Sequence, residues 1–338
     1  MRDGDITILR GSEVRAILAG RELELIQAVR LAYETHGDGD SSLPHSTFLP
    51  FPGQPRNRII ALPAYLGGPS RIAGVKWVSS FPDNLQLGAD RASAVVILNS
   101  AQTGRPEAVL EGSVISAKRT AASATLAAQC LLSGSKVGRV GMIGCGLINF
   151  ETARFLLAVF PEAETFVLFD QDEARVKQFA NKKIFSGVRV EIATDINAVL
   201  RNCPLISIAT TALKPHIADL HECPRGSAIL HISLRDLTPE VILSCDNVVD
   251  DIDHVCRAQT SVHLAEQLVG HRKFIRCTLA DILRCRAPAR NGSFSVFSPF
   301  GLGVLDLGVA KLVRDLALQQ GLETVIGSFL PGPWAEEP

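Results

Sequence analysis

The chain is short of several things, and each shortage closes a class of function. It carries no excess of either charge: 34 Lys and Arg face 35 Asp and Glu, for a formal net charge of -1. No basic field exists to neutralise a run of phosphates, so nucleic acid is not expected as a partner. No stretch reaches 18 uninterrupted apolar residues, and the chain opens on the polar MRDGD; this predicts a cytoplasmic protein with neither membrane span nor export signal. The eight cysteines (130, 145, 203, 223, 245, 256, 277 and 285) form no CxxC pair and have no histidine at finger spacing. Reduced thiols are therefore expected, without disulfides and without a metal site. Internal repeats and low-complexity tracts are also missing. What is present is 338 residues, 46% of them hydrophobic, which suits two compact domains and excludes global disorder.

Hydrophobic spacing gives a first organisation. Residues 1–36 read as helical, with Ser12 as a cap, a break at Gly20, and Leu23, Ile26, Val29 and Leu31 as apolar positions before Gly37. A Pro- and Gly-rich loop is expected over 38–57. Strands are expected over 58–64, 72–79 and 94–99, the last closed by a turn at Gln102-Thr103-Gly104. Ala, Ser and Leu at helical spacing fill 113–130. From Arg139 the rhythm changes: apolar strands at 140–143, 166–169, 205–209, 228–232 and 248–249 alternate with helix-like stretches, the pattern of a doubly wound parallel sheet. A last helix over 304–319 stops at Gly321 and is expected to pack back on the first domain, and the tail from Pro331 to Pro333 reads as loose.

The segment VGMIGCGLIN (140–149) is an apolar strand running into a glycine turn and then a helix, expected over 150–160. Gly144 permits the tight turn and Gly146 lets the backbone approach a pyrophosphate at the helix amino terminus, beside Leu147 and Ile148. Asn149 stands where this fingerprint has its third glycine, which predicts looser packing of helix on strand. Asp170 ends the second strand, 24 residues after Gly146, where a carboxylate accepts from the ribose hydroxyls and repels a 2'-phosphate. NAD is thus favoured over NADP, with Arg175 the nearby residue that argues the other way.

Basic residues punctuate the first domain. Arg58 opens a strand (RIIALP), Lys76 sits inside one (GVKWVSS), Arg91 precedes another (RASAVVILN), and Arg119 lies in the Ala-rich helix. A lysine inside a strand is costly unless solvated or paired. Taken together, these cations suit a carboxylated small molecule, with Lys76 as the proton-transferring group. His231 and His254 lack spacing partners and read as structural donors.

In the order of these motifs the chain resembles the ornithine cyclodeaminase/mu-crystallin family. RIIALP, GVKWVSSFPDN, AVVILNSAQTGRPEAVLEGSVISAKRTAA, the GMIGCG turn and SPFGLGVLDLGVAKL follow it from about residue 5 to 320. The resemblance implies a mixed α+β substrate and dimerisation domain (1–130 plus 304–338), a Rossmann-type NAD-binding domain (131–303), and a homodimer. It implies carboxylate-binding roles for Arg58 and Arg119, an active-site role for Lys76, and a place for Thr120 beside the cofactor. Asp306, near the cofactor mouth by that resemblance, is a further catalytic candidate, as is Asp236 for water activation. Ornithine cyclodeaminases carry a catalytic Asp where this chain has Leu234, which argues against ornithine cyclisation.

The subgroup most resembled is the 2,3-diaminopropionate biosynthesis dehydrogenase of siderophore and antibiotic pathways. Its substrate would be N-(1-amino-1-carboxy-2-ethyl)-L-glutamate, oxidised with NAD and hydrolysed to L-2,3-diaminopropionate and 2-oxoglutarate, with Arg91 assigned to a distal carboxylate. The alternatives are an ornithine cyclodeaminase, a ketimine reductase, an alanine dehydrogenase, or a non-enzymatic binding protein of the mu-crystallin kind.

Overall fold

The computed structural model describes residues 4–290, 292 and 294–332; Pro333, the end of the expected loose tail, lies outside them. The chain divides into two units, one formed by residues up to Arg119 together with those from Leu302 onward, the other by Thr120–Gly301. The division falls inside the helix Ser113–Leu131, earlier than the boundary at residue 130 that the resemblance implies.

The first unit is built on a mixed sheet of β1 (Ile6–Leu9), β2 (Ser41–Ser42), β3 (Thr47–Phe51), β4 (Gln54–Leu66), β5 (Ile72–Ser80), β6 (Ala92–Ser100), β7 (Pro106–Glu111) and a short final strand, Thr324–Ile326. The final strand flanks β1, which pairs in parallel with β7; β6, β5 and β4 follow antiparallel, and both β2 and β3 pair with β4. Period-two alternation sets the faces. Leu62, Ala64, Leu66, Ile72, Ala94, Val96 and Leu98 are buried, and the helix Gly303–Gln320 covers this side with Val304, Leu305, Leu307, Val309, Ala310 and Val313. Gly74 makes the close packing possible: a Cβ there would come within 2.2 Å of the Ile97 carbonyl oxygen and 3.1 Å of Leu307. The helix ends at Gly321 in the left-handed conformation, φ 63°, so its expected extent and its return to the first unit both hold.

Three expectations need correction here. Residues 1–36 are not wholly helical, because β1 precedes the helices Gly11–Leu18 and Glu22–Gly37. Its two partners lie far along the chain, where local propensity cannot reveal them. Ser12 is not the cap; Arg10 holds that position, and its backbone N–H donates to Glu13 Oε2 at 2.7 Å. The expected loop at 38–57 is largely strand: β3 and β4 join through the two residues Pro52 and Gly53, with Gly53 at φ 74°. Pro50 is tolerated because β3 pairs only with β4.

The second unit is a wholly parallel sheet of β8 (Arg139–Ile143), β9 (Thr165–Phe169), β10 (Arg189–Ile192), β11 (Leu205–Ile208), β12 (Ala228–His231), β13 (Asp246–Val249), β14 (Ile275–Thr278) and β15 (Ser295–Ser298). Their spatial order is 10-9-8-11-12-15-13-14. From β8 the chain winds outward through β9 and β10 on one side and through β11 and β12 on the other. The reversal point is therefore the gap between the carboxyl ends of β8 and β11, where doubly wound sheets bind their ligands. β8 is buried over Val140–Ile143, and β11, β12, β13 and β15 are buried throughout, which is why β8, β11 and β12 read as apolar runs instead of alternating. The outer strands β10 and β14 escape the sequence pattern, being short and partly polar, and so does the inner strand β15, whose two apolar residues are flanked by serines. Among the described residues no helix is long and apolar enough to cross a membrane.

Candidate active site

In the first unit, Lys76 sits on β5 at the buried phase of the alternation, 2% exposed, between Leu62 and Val96 on the flanking strands. Its Nζ donates to Asp306 Oδ2 at 2.7 Å and to Ser116 Oγ at 3.1 Å. Asp306 lies in the first turn of the Gly303–Gln320 helix, fully buried, where the helix dipole favours a carboxylate. Its other oxygen, Oδ1, accepts from Arg119 Nε at 3.0 Å. One carboxylate thus bridges two cations. Burial pushes the Lys76 pKa down to about 8, with the Arg119 charge acting in the same sense and Asp306 opposing both. An amine so placed changes protonation near neutrality, which is what proton transfer requires.

Arg58 stands opposite Ser80, on the same sheet face as Lys76. Ser80 lies about 13 Å beyond Lys76 along an extended strand. Arg91 reaches that end as well, with its Nε 3.4 Å from Ser80 Oγ. Burial and the Arg58 charge lower the Arg91 pKa, and Arg58 Nε is buried with no hydrogen-bond partner. Among the described residues no carboxylate pairs with either guanidinium. Two like charges held together without a counterion form a receptor for an anion.

In the second unit, Gly144 turns the chain at φ +91°, and a Cβ there would lie 2.4 Å from the Ala209 carbonyl oxygen on the neighbouring strand's exit. The following helix is Leu147–Val159, three residues earlier than expected, so Leu147 and Ile148 lie in its first turn. Gly146 caps it with no side chain, leaving the first N–H groups for an anion, and a Cβ on Gly146 would meet nothing within 4 Å. This open, uncapped cradle fits a dinucleotide pyrophosphate. Asp170 follows β9; its Oδ2 accepts from the Cys145 N–H at 2.8 Å and its Oδ1 from the Asp172 N–H at 3.0 Å. Arg175 Nε lies 3.8 Å from Asp172. Burial, with Asp170 nearby, pushes the Cys145 thiol up to about 12, so it stays protonated. Thr120 is half-buried, next to Arg119 in the same helix. The expectation that Asn149 loosens the packing is wrong: it is fully buried and hydrogen-bonded through both amide atoms.

Asp236 has a different surrounding from the one its candidacy for water activation needs. It is fully buried, and its carboxylate accepts from Thr210 Oγ1 and, at 2.5 Å, from Ser233 Oγ; burial pushes its pKa up, but His231 foremost, with Ser233 and Thr210, outweighs that and holds it below the ordinary value. Its N–H donates to His231 Nε2 at 3.1 Å, and its carbonyl accepts from the His216 and Ile217 N–H groups. Such a carboxylate ties the loops after β11 and β12 together. His231 is a buried structural group, as expected, and His254 Nδ1 lies 2.8 Å from Asp251 Oδ1.

Sequence reasoning missed Ser116, although it sits three residues before Arg119 on one helix face, a spacing that could have flagged it. It also missed Asp306 as counterion to Lys76, a pairing no local signal carries.

A doubly wound unit with a glycine turn at its reversal point, together with a unit that seals a lysine against an aspartate, defines a nucleotide-binding α/β protein with a buried ion pair in its other unit. The chain belongs to the ornithine cyclodeaminase/mu-crystallin family, whose model matches residues 12–321. It is 28% identical to N-((2S)-2-amino-2-carboxyethyl)-L-glutamate dehydrogenase of Staphylococcus aureus, over 96% of this chain and 99% of that protein. A solved archaeal alanine dehydrogenase dimer with bound NAD is similar at 25% identity and TM-score 0.85, over 95% of this chain and 99% of the other. The fold is also that of Thermococcus litoralis Δ1-pyrroline-2-carboxylate reductase, solved with NADH and L-proline: TM-score 0.86, 24% identity, 94% and 99% coverage.

Proposed function

We propose that the protein is an NAD-dependent dehydrogenase that oxidises N-(1-amino-1-carboxy-2-ethyl)-L-glutamate at the glutamate α-carbon and releases L-2,3-diaminopropionate and 2-oxoglutarate. The observation that carries the choice of substrate is the Arg58 and Arg91 pair, two guanidiniums without a carboxylate partner. It suits a molecule with more carboxylates than alanine or proline has. Similarity to the Staphylococcus aureus enzyme over nearly both whole chains supports the same choice. Leu234, buried and at φ 67°, supplies no carboxylate of the kind ornithine cyclisation uses.

Gly144, Gly146, Leu147, Ile148, Asp170 and Thr120 would hold NAD, which would supply the hydride acceptor. Lys76, neutral in a substantial fraction near pH 8, takes the proton from the substrate's secondary ammonium, because a protonated nitrogen has no lone pair to form the imine. Asp306 and Ser116 hold the amine of Lys76 in one place. Arg119 and Arg58 bind the α-carboxylate of the glutamate portion and stop rotation of the reacting carbon, and Arg91 takes a distal carboxylate. Water then adds to the imine carbon, and the proton collected by Lys76 is available to the nitrogen as the carbon-nitrogen bond breaks. The net change is substrate, NAD+ and water in; diaminopropionate, 2-oxoglutarate, NADH and a proton out.

The protein acts as a homodimer in this reading. The sheet face opposite Lys76 exposes Trp77, Val95 and Leu49, and the first two are register partners on adjacent strands. An apolar strip of this kind is a surface for a second copy. The function is tested by product analysis: one diaminopropionate and one 2-oxoglutarate per NADH formed is expected, and NADH without 2-oxoglutarate would refute the proposed cleavage.

A further inference from the structure

Asn149 occupies the third residue of the Leu147–Val159 helix and is fully buried. Its Nδ2 donates to the Gly144 carbonyl at 2.6 Å and to the Ile143 carbonyl at 3.0 Å, and lies 3.5 Å from the Ser207 carbonyl. Its Oδ1 accepts from Ser207 Oγ at 2.7 Å. The surroundings fix the amide orientation, since only nitrogen can face carbonyls and only oxygen can accept from the hydroxyl. The side chain therefore ties β8, the glycine turn and β11 together at the reversal point of the sheet.

The peptide between Gly144 and Cys145 is pinned from both sides. Its carbonyl accepts from Asn149, and its N–H donates to Asp170 Oδ2 at 2.8 Å. The plane of this peptide sets both the direction of the chain into the Gly146 cradle and the position of the Asp170 carboxylate. A glycine at position 149 would let the helix approach the strand but would strip the Gly144 carbonyl of the Asn149 donor and leave the Ile143 carbonyl with the Ala209 N–H alone. Those groups are buried, so the loss would be felt in the turn itself.

We propose that Asn149, braced by Ser207, is a positioning residue for dinucleotide binding: it aligns the pyrophosphate cradle with the ribose-binding carboxylate in place of the close-packing glycine. The inference rests on the NAD reading above. NADH is titrated into the full-length protein by nicotinamide fluorescence, with the thermal midpoint recorded alongside, for wild type, Asn149→Gly, Asn149→Asp and Ser207→Ala. Asn149→Gly is expected to weaken NADH about tenfold. It should raise the KM for NAD while leaving the substrate KM and the kcat at saturating NAD within about twofold. That split separates positioning from a general loosening, which would move every parameter. Asn149→Asp, with an acceptor facing three carbonyls, is expected to lose NADH affinity further. Should it not fold, Ser207→Ala, which removes only the bracing hydroxyl, is expected to weaken NADH several-fold by itself. If wild type binds NADH and both Asn149→Gly and Ser207→Ala bind it equally well, the inference is overturned. Wild type that binds no NADH would instead overturn the NAD reading.

Discussion

Lys76 Nζ and Asp306 Oδ2 stand 2.7 Å apart, in a place closed to water, although 230 positions separate the residues along the chain. The strand supplies the amine and the last long helix supplies the acid, so the pair exists only when both ends of the first unit have folded together. A buried ion pair is weak evidence for stability. Its use here is chemical: the carboxylate tempers the effect of burial and leaves an amine whose pKa is about 8.

Replacing Lys76 with Met removes the proton acceptor while roughly preserving bulk, and Asp306 keeps Arg119 as a partner. We predict a loss of about 10²- to 10⁴-fold in kcat/KM for substrate oxidation, with NADH affinity unchanged. Steady-state kinetics and a fluorescence titration check the two halves. Retention of wild-type turnover would remove Lys76 from the mechanism.

The pH dependence follows from the sign of the shift. Oxidation needs neutral Lys76, so kcat/KM should fall about tenfold per pH unit below roughly 8 and level off above it. Asp306→Asn removes the group that raises the Lys76 pKa, so the acid limb should move to lower pH. A move to higher pH contradicts the account. For stability, the folded value lies below the unfolded value of about 10.4, so the unfolded chain holds the extra proton between them. The contribution of Lys76 is least favourable below about pH 8 and improves as pH climbs towards roughly 10.4; Lys76→Met should abolish that part of the slope in a series of denaturant titrations.

Arg91 is assigned to a distal carboxylate. Arg91→Ala should raise the substrate KM about 10- to 100-fold, the size of a lost charge-assisted interaction, with kcat within a few-fold. An unchanged KM removes Arg91 from the site.

Two glycines one residue apart should behave differently. At Gly146 a side chain meets open space, so Gly146→Asp should abolish NADH binding through charge while the thermal midpoint barely changes. At Gly144 the left-handed backbone and the Ala209 carbonyl at 2.4 Å forbid any side chain, so Gly144→Ala should lower the midpoint by several degrees. Calorimetry with and without NADH separates them.

The sequence makes some of this legible and hides the rest for physical reasons. Buried parallel strands such as β8 and β11 are continuous apolar runs, and the glycine turn between β8 and its helix is a local signature, so both read directly. β1 does not, because four residues acquire strand character only from partners at β7 and the chain's end. The pairing of Lys76 with Asp306 is likewise a product of tertiary structure. Asn149 reads as a defect in a motif, since spacing records that a glycine is missing and cannot record that its replacement finds hydrogen-bond partners for both amide atoms.

The most direct test measures NADH formation by absorbance with NAD and, in turn, N-(1-amino-1-carboxy-2-ethyl)-L-glutamate, alanine, ornithine and proline. The account predicts a kcat/KM for the three-carboxylate substrate at least about a hundredfold above any of the others, as an Arg91 contact with a distal carboxylate that the others lack would give. Equal or better turnover of alanine, ornithine or proline would contradict it.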